Sequence, residues 1–180
     1  MANQYLHPIL EQLFGETFIH DYAFEDRMRM SQAAIYLLKV TGFPFEEYSY
    51  RWVTEDGPAS RKLTQDLLWG QEIFPMKKIK FRKEYQDCID QLRVVVNATE
   101  RGEYSIRKWL QCISAIHYLR TYVMKWNAPI EEVVSEVERR MPTMSTHDIN
   151  MKAAQWLDGL LMAPELFAAW WPSLQQTAAT

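Results

Sequence analysis

A chain of 180 residues with 48% hydrophobic content is long enough to bury a core and falls in the size range of one compact domain, so residues 1–180 are read as a single domain. Lysine and arginine number 20 against 23 aspartates and glutamates, and the resulting net charge of -3 excludes a global attraction to nucleic acid or to an anionic membrane. Two cysteines, Cys88 and Cys112, are too few for a disulfide framework and lack CxxC spacing, which predicts reduced thiols in a cytoplasmic protein and no zinc site.

The first stretch, "MANQYLHPILEQLFGE", has no basic segment followed by an apolar run and does not read as a signal peptide. The segment "FEDRMRMSQAAIYLLKVTG" predicts a core helix. Glu25 and Asp26 sit at its positive end, Met28, Ile35 and Leu38 follow at helical spacing, and Gly42 stands where it should stop. Tyr48, Tyr50 and Trp52 alternate with Ser49, Arg51 and Val53, the period of a half-buried strand over 48–53, with Trp52 as a core anchor. In the next segment Gly57 is expected to turn the chain, Pro58 to occupy the first helical position, and Leu63, Leu67 and Leu68 to carry the helix.

After Pro75 a short alternating basic piece, expected as a β element over 77–82, gives way to a helix with Tyr85, Cys88, Ile89, Leu92 and Val95 or Val96 on one side, closed by Gly102. "YSIRKWLQCISAIHYLRTYVMKW" predicts a central apolar helix, the most buried element, with Trp109 as an anchor. A further helix has Pro129 near its first turn, Glu131 and Glu132 at its start, Arg139 and Arg140 at its end, and Pro142 beyond. Ser145 is expected to cap the helix that follows, with Asp148 completing a capping box. These elements sum to a mainly α fold, a compact multi-helix domain with small β elements near 48–53 and 77–82.

Chemistry-bearing patterns are sparse. His7, His20, His117 and His147 lie far apart in sequence, with no HExxH or HxH spacing. His117, in the apolar helix, is read as a core or boundary histidine in need of a hydrogen-bond partner, because Cys112 five residues earlier points elsewhere around the helix. Phosphate-binding and nucleophile-elbow motifs are missing, and the acidic pairs sit at helix starts or on wet loops. The expectation is a nonenzymatic chain with no catalytic residue, cofactor or metal. One charge feature stands out: in "MKKIKFRK", residues 76–83, five of eight positions are basic. As an extended segment, Lys77, Lys78, Lys80, Arg82 and Lys83 would form either a solvated edge or the phosphate-contacting wing of a winged-helix-like DNA binder.

The order "RMSQAAIYLLKVTGFPFEEYSYRWVTEDGPASRKLTQDL" followed by "WLQCISAIHYLRTYVMKWNAPIEEVVSEVERRMP" resembles the Panacea domain family, which includes SocA-like antitoxins, and the related YwgA-like proteins. The resemblance covers roughly residues 25–160. It rests on the Gln32 to Leu37 helix, the aromatic strand ending in Trp52, the Gly57-Pro58-x-Ser60 turn and the central helix from Trp109 to Leu119. It implies a nonenzymatic protein-interaction module, frequent on mobile elements and phages, that neutralises a toxin or other protein partner. On this reading 48–60 is a structural corner, and Arg51, Glu55, Asp56 and Arg61 are the candidates to face the partner. Beyond the family-like region lies an apolar extension, 161–180. It is too short and too interrupted to span a bilayer, so no membrane role is expected. Phe167, Trp170 and Trp171 are spaced as one docking face there, expected to close the domain or to form a homodimer.

Overall fold

The computed structural model describes residues 3–15, 25–73 and 79–178, with the side chains of 71–73 and 173–178 left aside. Among them are eight α-helices and one two-stranded hairpin: α1 (Leu6–Phe14), α2 (Glu25–Val40), β1 (Arg51–Val53), β2 (Gly57–Ala59), α3 (Arg61–Ile73), α4 (Lys83–Val96), α5 (Ile106–Tyr118), α6 (Ile130–Arg140), α7 (His147–Leu160) and α8 (Pro164–Ala178). The fold is mainly α, as the periodicities predict.

Helix α5 forms the axis. Ser105 starts it, its hydroxyl accepting from Lys108 N at 3.2 Å, and every residue from Trp109 to His117 is buried. α2 and α7 pack on its flanks, with α4, α6 and β2 completing its surroundings. Trp109 is fully enclosed and donates Nε1 to the carbonyl of Val95 at 2.8 Å, so its one polar atom is satisfied inside the core. α2 ends as the sequence predicts, with Gly42 at φ 108°, a conformation that disfavours side chains bearing a Cβ.

The α2–α3 connection holds several differences from expectation. Strand pairing begins at Arg51, not at Tyr48: the 48–50 segment is tied down by side chains instead. Tyr48 is buried against Phe45, with ring centroids 5.6 Å apart, and donates its hydroxyl to Asp66 Oδ2 at 3.0 Å. Pro58 is not a helical residue. It lies in β2, opposite Trp52 in an antiparallel register that also pairs Arg51 with Ala59 and Val53 with Gly57. Proline is tolerated because the hairpin has only two strands and an edge position needs no N–H. Gly57, at φ 81°, supplies the backbone conformation that starts β2. Helix α3 then begins at Arg61, with the Ser60 hydroxyl accepting from Leu63 N at 3.4 Å. Trp52 is half-buried and is not a core anchor of the kind Trp109 is.

Gln32 fixes this corner from below. Its side chain, buried in α2, donates to Ser60 O at 2.9 Å and to Thr64 Oγ1 at 2.8 Å, and accepts from Ser60 N at 2.9 Å. The amide thus satisfies both backbone groups of Ser60 where the chain changes from strand to helix.

At the start of the chain, α1 is an amphipathic helix. It buries Leu6, Ile9, Leu10 and Leu13 and packs on α2, α3 and α4. His7 on the same helix lies against Gly70 of α3, where an added Cβ would fall 2.6 Å from Nε2. α7 is capped by Thr146 rather than Ser145: Thr146 Oγ1 accepts from Ile149 N at 3.5 Å, while Ser145 Oγ accepts from Asn150 Nδ2 at 2.9 Å. The cap moves by one residue because Ser145 is engaged by a buried asparagine. Helix α8 folds back on α4 and α7.

Candidate functional site

Sequence reasoning singles out Arg51, Glu55, Asp56 and Arg61 at this corner; the first three lie on the hairpin and Arg61 opens α3 directly after it. Arg51, Glu55 and Arg61 are exposed. Glu55 sits at the hairpin tip with φ 64°, a left-handed conformation costly for a residue with a Cβ. Asp56 differs. It is half-buried, its Oδ1 lies 3.0 Å from Arg29 Nε of α2, and its backbone carbonyl accepts from Gln111 Nε2 at 2.9 Å. Desolvation raises its carboxyl above the usual range, and the opposing pull of Arg29 is the smaller effect. Asp56 therefore joins the hairpin to α2 and α5.

The larger exposed feature adjoins this corner. At the end of α5 the chain widens into a π turn, Leu119–Val123, in which Met124 N donates to Leu119 O at 2.6 Å. An i→i+5 turn holds one residue more than the α period allows, and side chains after it leave the buried face. Tyr122 is 64% exposed, Val123 47% and Trp126 46%. Their neighbours extend the exposed patch by two routes, from Tyr122 through Tyr118 to Trp52 and from Trp126 to His117. Tyr118 lies 4.9 Å from Tyr122 and 5.9 Å from Trp52, ring centre to ring centre. Two guanidiniums sit on its rings: Arg140 is 5.1 Å above Trp52, and Arg120 is 4.3 Å above Trp126. Arg120 also reaches Asp158 at 3.3 Å and the Trp126 carbonyl at 3.2 Å, which fixes the loop that carries Trp126.

Beneath this surface lies His117. Its Nδ1 is 2.7 Å from the hydroxyl of Tyr36, and its ring meets Trp126 edge-on at 5.7 Å. Burial, helped by the positive charge of Arg120, lowers its pKa to about 4, so the imidazole is neutral near pH 7. The same burial pushes the Tyr36 hydroxyl well above the ordinary tyrosine range. This is a satisfied histidine supporting a surface, with no nucleophile beside it in that bonding. Cys112 is enclosed, and burial pushes its thiol up to about 12, far from the thiolate a reactive cysteine requires. Among the described residues no group of three His, Cys, Asp or Glu side chains could hold a metal ion.

The basic segment is differently placed from the expectation of a β element. Residues 79–82 form no strand, and Lys77 and Lys78 lie outside the described residues. Lys83 opens α4 and pairs with Asp87 at 2.7 Å. Lys80 and Arg82 are exposed. Phe81 between them is half-buried and packs edge-on against Phe43 at 5.9 Å, which anchors the segment without aligning its cations.

The C-terminal aromatics pack within the chain. Phe167 is buried and Trp170 half-buried, and both meet Trp156 of α7, at 6.5 and 5.5 Å. Gly159 makes the room: a Cβ there would fall 2.1 Å from the Trp170 ring. Trp171, also half-buried, lines a cleft of about 250 Å³ with Arg93, Val94 and Ala98 of the α4 end. Among the described residues no helix is long and apolar enough to cross a membrane.

Sequence reasoning missed the Tyr118, Tyr122 and Trp126 surface because it read these residues as the continuation of one helix. Tyr118, Tyr122 and Trp126 are four residues apart, so they continue the helical spacing and give no local sign of the π turn. No protein-family model matches this chain, and no curated protein or solved structure matches it either.

Proposed function

We propose that this chain is a nonenzymatic protein-interaction module of antitoxin type, acting in the cytoplasm by occupying the surface of a partner protein. The observation that carries the reading is the exposure of Tyr122, Val123 and Trp126 after the π turn, with Tyr122 joined through Tyr118 to Trp52, Trp126 seated on His117, and Arg140 and Arg120 over the two tryptophans. Tyrosine, tryptophan and arginine are the residues that dominate the energetics of protein interfaces. Large rigid rings left half in water gain a few kcal/mol each when a partner covers them. Arg51 and Glu55, exposed on the hairpin that carries Trp52, are offered as the polar rim of this surface. The resemblance to SocA-like Panacea domains supports the same class of function, with the partner a toxin or other effector encoded on a mobile element.

A photo-crosslinking phenylalanine derivative at position 122, expressed in the source cell, tests the reading. One dominant protein adduct is expected, and the same substitution at Leu166, which is 63% exposed on α8, should not give it. Equal adducts from both positions would remove the surface from consideration.

A further inference from the structure

Between α2, α3 and the hairpin runs a groove of about 520 Å³, separate in its residues from the aromatic surface. That volume falls within the ~300–1,000 Å³ of small-molecule sites. Its apolar walls are Met28 and Ala33 of α2, Pro58 of β2 and Leu68 of α3. Leu68 is 43% exposed, a large apolar side chain left at the opening.

The polar lining is one-sided. Glu25 and Asp56 face a single guanidinium, Arg29, which is bound to both: its Nε is 3.0 Å from Asp56 Oδ1, and its Nη2 pairs with Glu25. Two carboxylates thus line the groove against one guanidinium, which is already held, and Arg107, paired with Asp26, acts on Asp56 from outside the lining. Asp56 is short of water, as the upward shift of its carboxyl by desolvation indicates. A second observation is independent of the acids. Gln111 lines the groove and is only 2% exposed; its Nε2 is spent on the Asp56 carbonyl, and its Oε1 has no hydrogen-bond partner among the described residues. A buried acceptor left unpaired costs roughly 1–3 kcal/mol, so the site is incomplete without a donor. Flipping the amide would not help, because its oxygen would then face the carbonyl oxygen of Asp56.

A ligand that satisfies all these groups has N–H donors, positive charge and an apolar body. We propose that the groove binds a small organic cation, an ammonium or guanidinium on an apolar stem. Asp56 and Glu25 supply the counter-charge, Gln111 Oε1 is the acceptor that orients the donor, and Met28, Pro58 and Leu68 enclose the stem. This site does not depend on the protein-interaction reading and shares no residue with its surface.

The probe is 2-phenylethylamine, titrated into the full chain and followed by amide chemical shifts, with 2-phenylethanol as its neutral counterpart. Saturable binding of the amine is expected, with the largest shifts at residues 28–33, 56–59 and 111, and at least about tenfold weaker binding of the alcohol, a difference of ~1.4 kcal/mol. Asp56→Asn should weaken the amine by a similar factor and leave the alcohol unchanged. Ala59→Leu, which fills the groove without touching its charges, should weaken both. The proposal is overturned if amine and alcohol bind alike, or if the amine shows no saturation up to about 10 mM, beyond the affinity range of a specific fragment. The wild-type comparison decides the matter even if a variant fails to fold.

Discussion

Two aromatic clusters of similar composition meet opposite fates in this molecule. At α7 and α8, Trp156, Phe167 and Trp170 pack on one another, and Gly159 clears the space into which Trp170 settles. At the end of α5, Trp52, Tyr118 and Tyr122 form a connected run and Trp126 rests on His117, yet Tyr122 is 64% exposed. Hydrophobicity does not separate the two. Backbone does: an unbroken helix with a glycine offers a flat bed for a second helix, whereas a π turn throws its side chains off the buried face, with guanidiniums lying over the two tryptophans. The first cluster completes the domain, and the second is left for something outside it.

The difference can be broken most severely at the buried cluster. Trp156→Ala should lower stability by ~3–5 kcal/mol, the cost of removing an enclosed tryptophan; a shift of under about 1 kcal/mol in a urea titration would mean that α8 does not rest on Trp156.

Next in size is the pH response of His117, which lies under the exposed cluster. Its pKa in the folded chain is lowered from 6.5 to about 4, so as pH falls the unfolded chain takes up the proton first. The stability associated with the neutral ring is therefore complete above pH 6.5 and is lost progressively down to about pH 4, by roughly 3 kcal/mol in all. Replacing His117 by glutamine should flatten the decline of the urea midpoint across that window. An identical decline in the variant would assign the pH response to other groups.

Gly159→Ala is a sharper and smaller probe. The new methyl group would collide with the Trp170 ring, and overpacking of this kind costs about 1–3 kcal/mol. Combined with Trp170→Ala the collision disappears, so the glycine substitution should then become nearly neutral. A cost that persists in the double variant would show that Gly159 serves a purpose other than making room.

Smallest of all should be the stability effect at the exposed cluster. Tyr122→Ala should change the unfolding free energy by no more than about 0.5 kcal/mol, as for surface positions generally. A loss comparable to that of Trp156→Ala would mean that Tyr122 belongs to the core.

Much of this architecture is legible from local pattern. α2, α4, α5, α6 and α7 follow from 3.6-residue periodicity, helped at α2 and α6 by acidic starts and a glycine or proline stop, because those signals act within a few residues; α4 ends at Val96, before the Gly102 expected to close it. The failures share a cause in side-chain and strand contacts that helical periodicity does not encode, some of them nearby and others far along the chain. Nothing near Ser145 reveals that Asn150 will engage its hydroxyl and pass the capping role to Thr146. Nothing near Pro58 reveals that Trp52 will stand opposite it in a ladder, or that Gln32, 28 residues before Ser60, will hold the junction. Tyr48 and Trp52 alternate like strand residues, but one bonds Asp66 of α3 and the other lies under Arg140 of α6. The candidate surface was hidden for a related reason. A π turn has no period of its own in a sequence, so Tyr122 and Trp126 looked like more of an apolar helix.

The central claim is that the exposed cluster is where a partner protein binds, and quantitative affinity capture with a matched set of chains tests it most directly. Wild type, the double variant Tyr122→Ala with Trp126→Ala, and Leu166→Ala on the outer side of α8 would be expressed at equal levels in the source cell, after thermal melts establish that all three are folded. The account predicts one protein recovered in near-stoichiometric amount with wild type and with Leu166→Ala, and reduced at least about tenfold with the double variant, as expected for the loss of two interface anchors. Equal recovery of that protein by the folded double variant would contradict it.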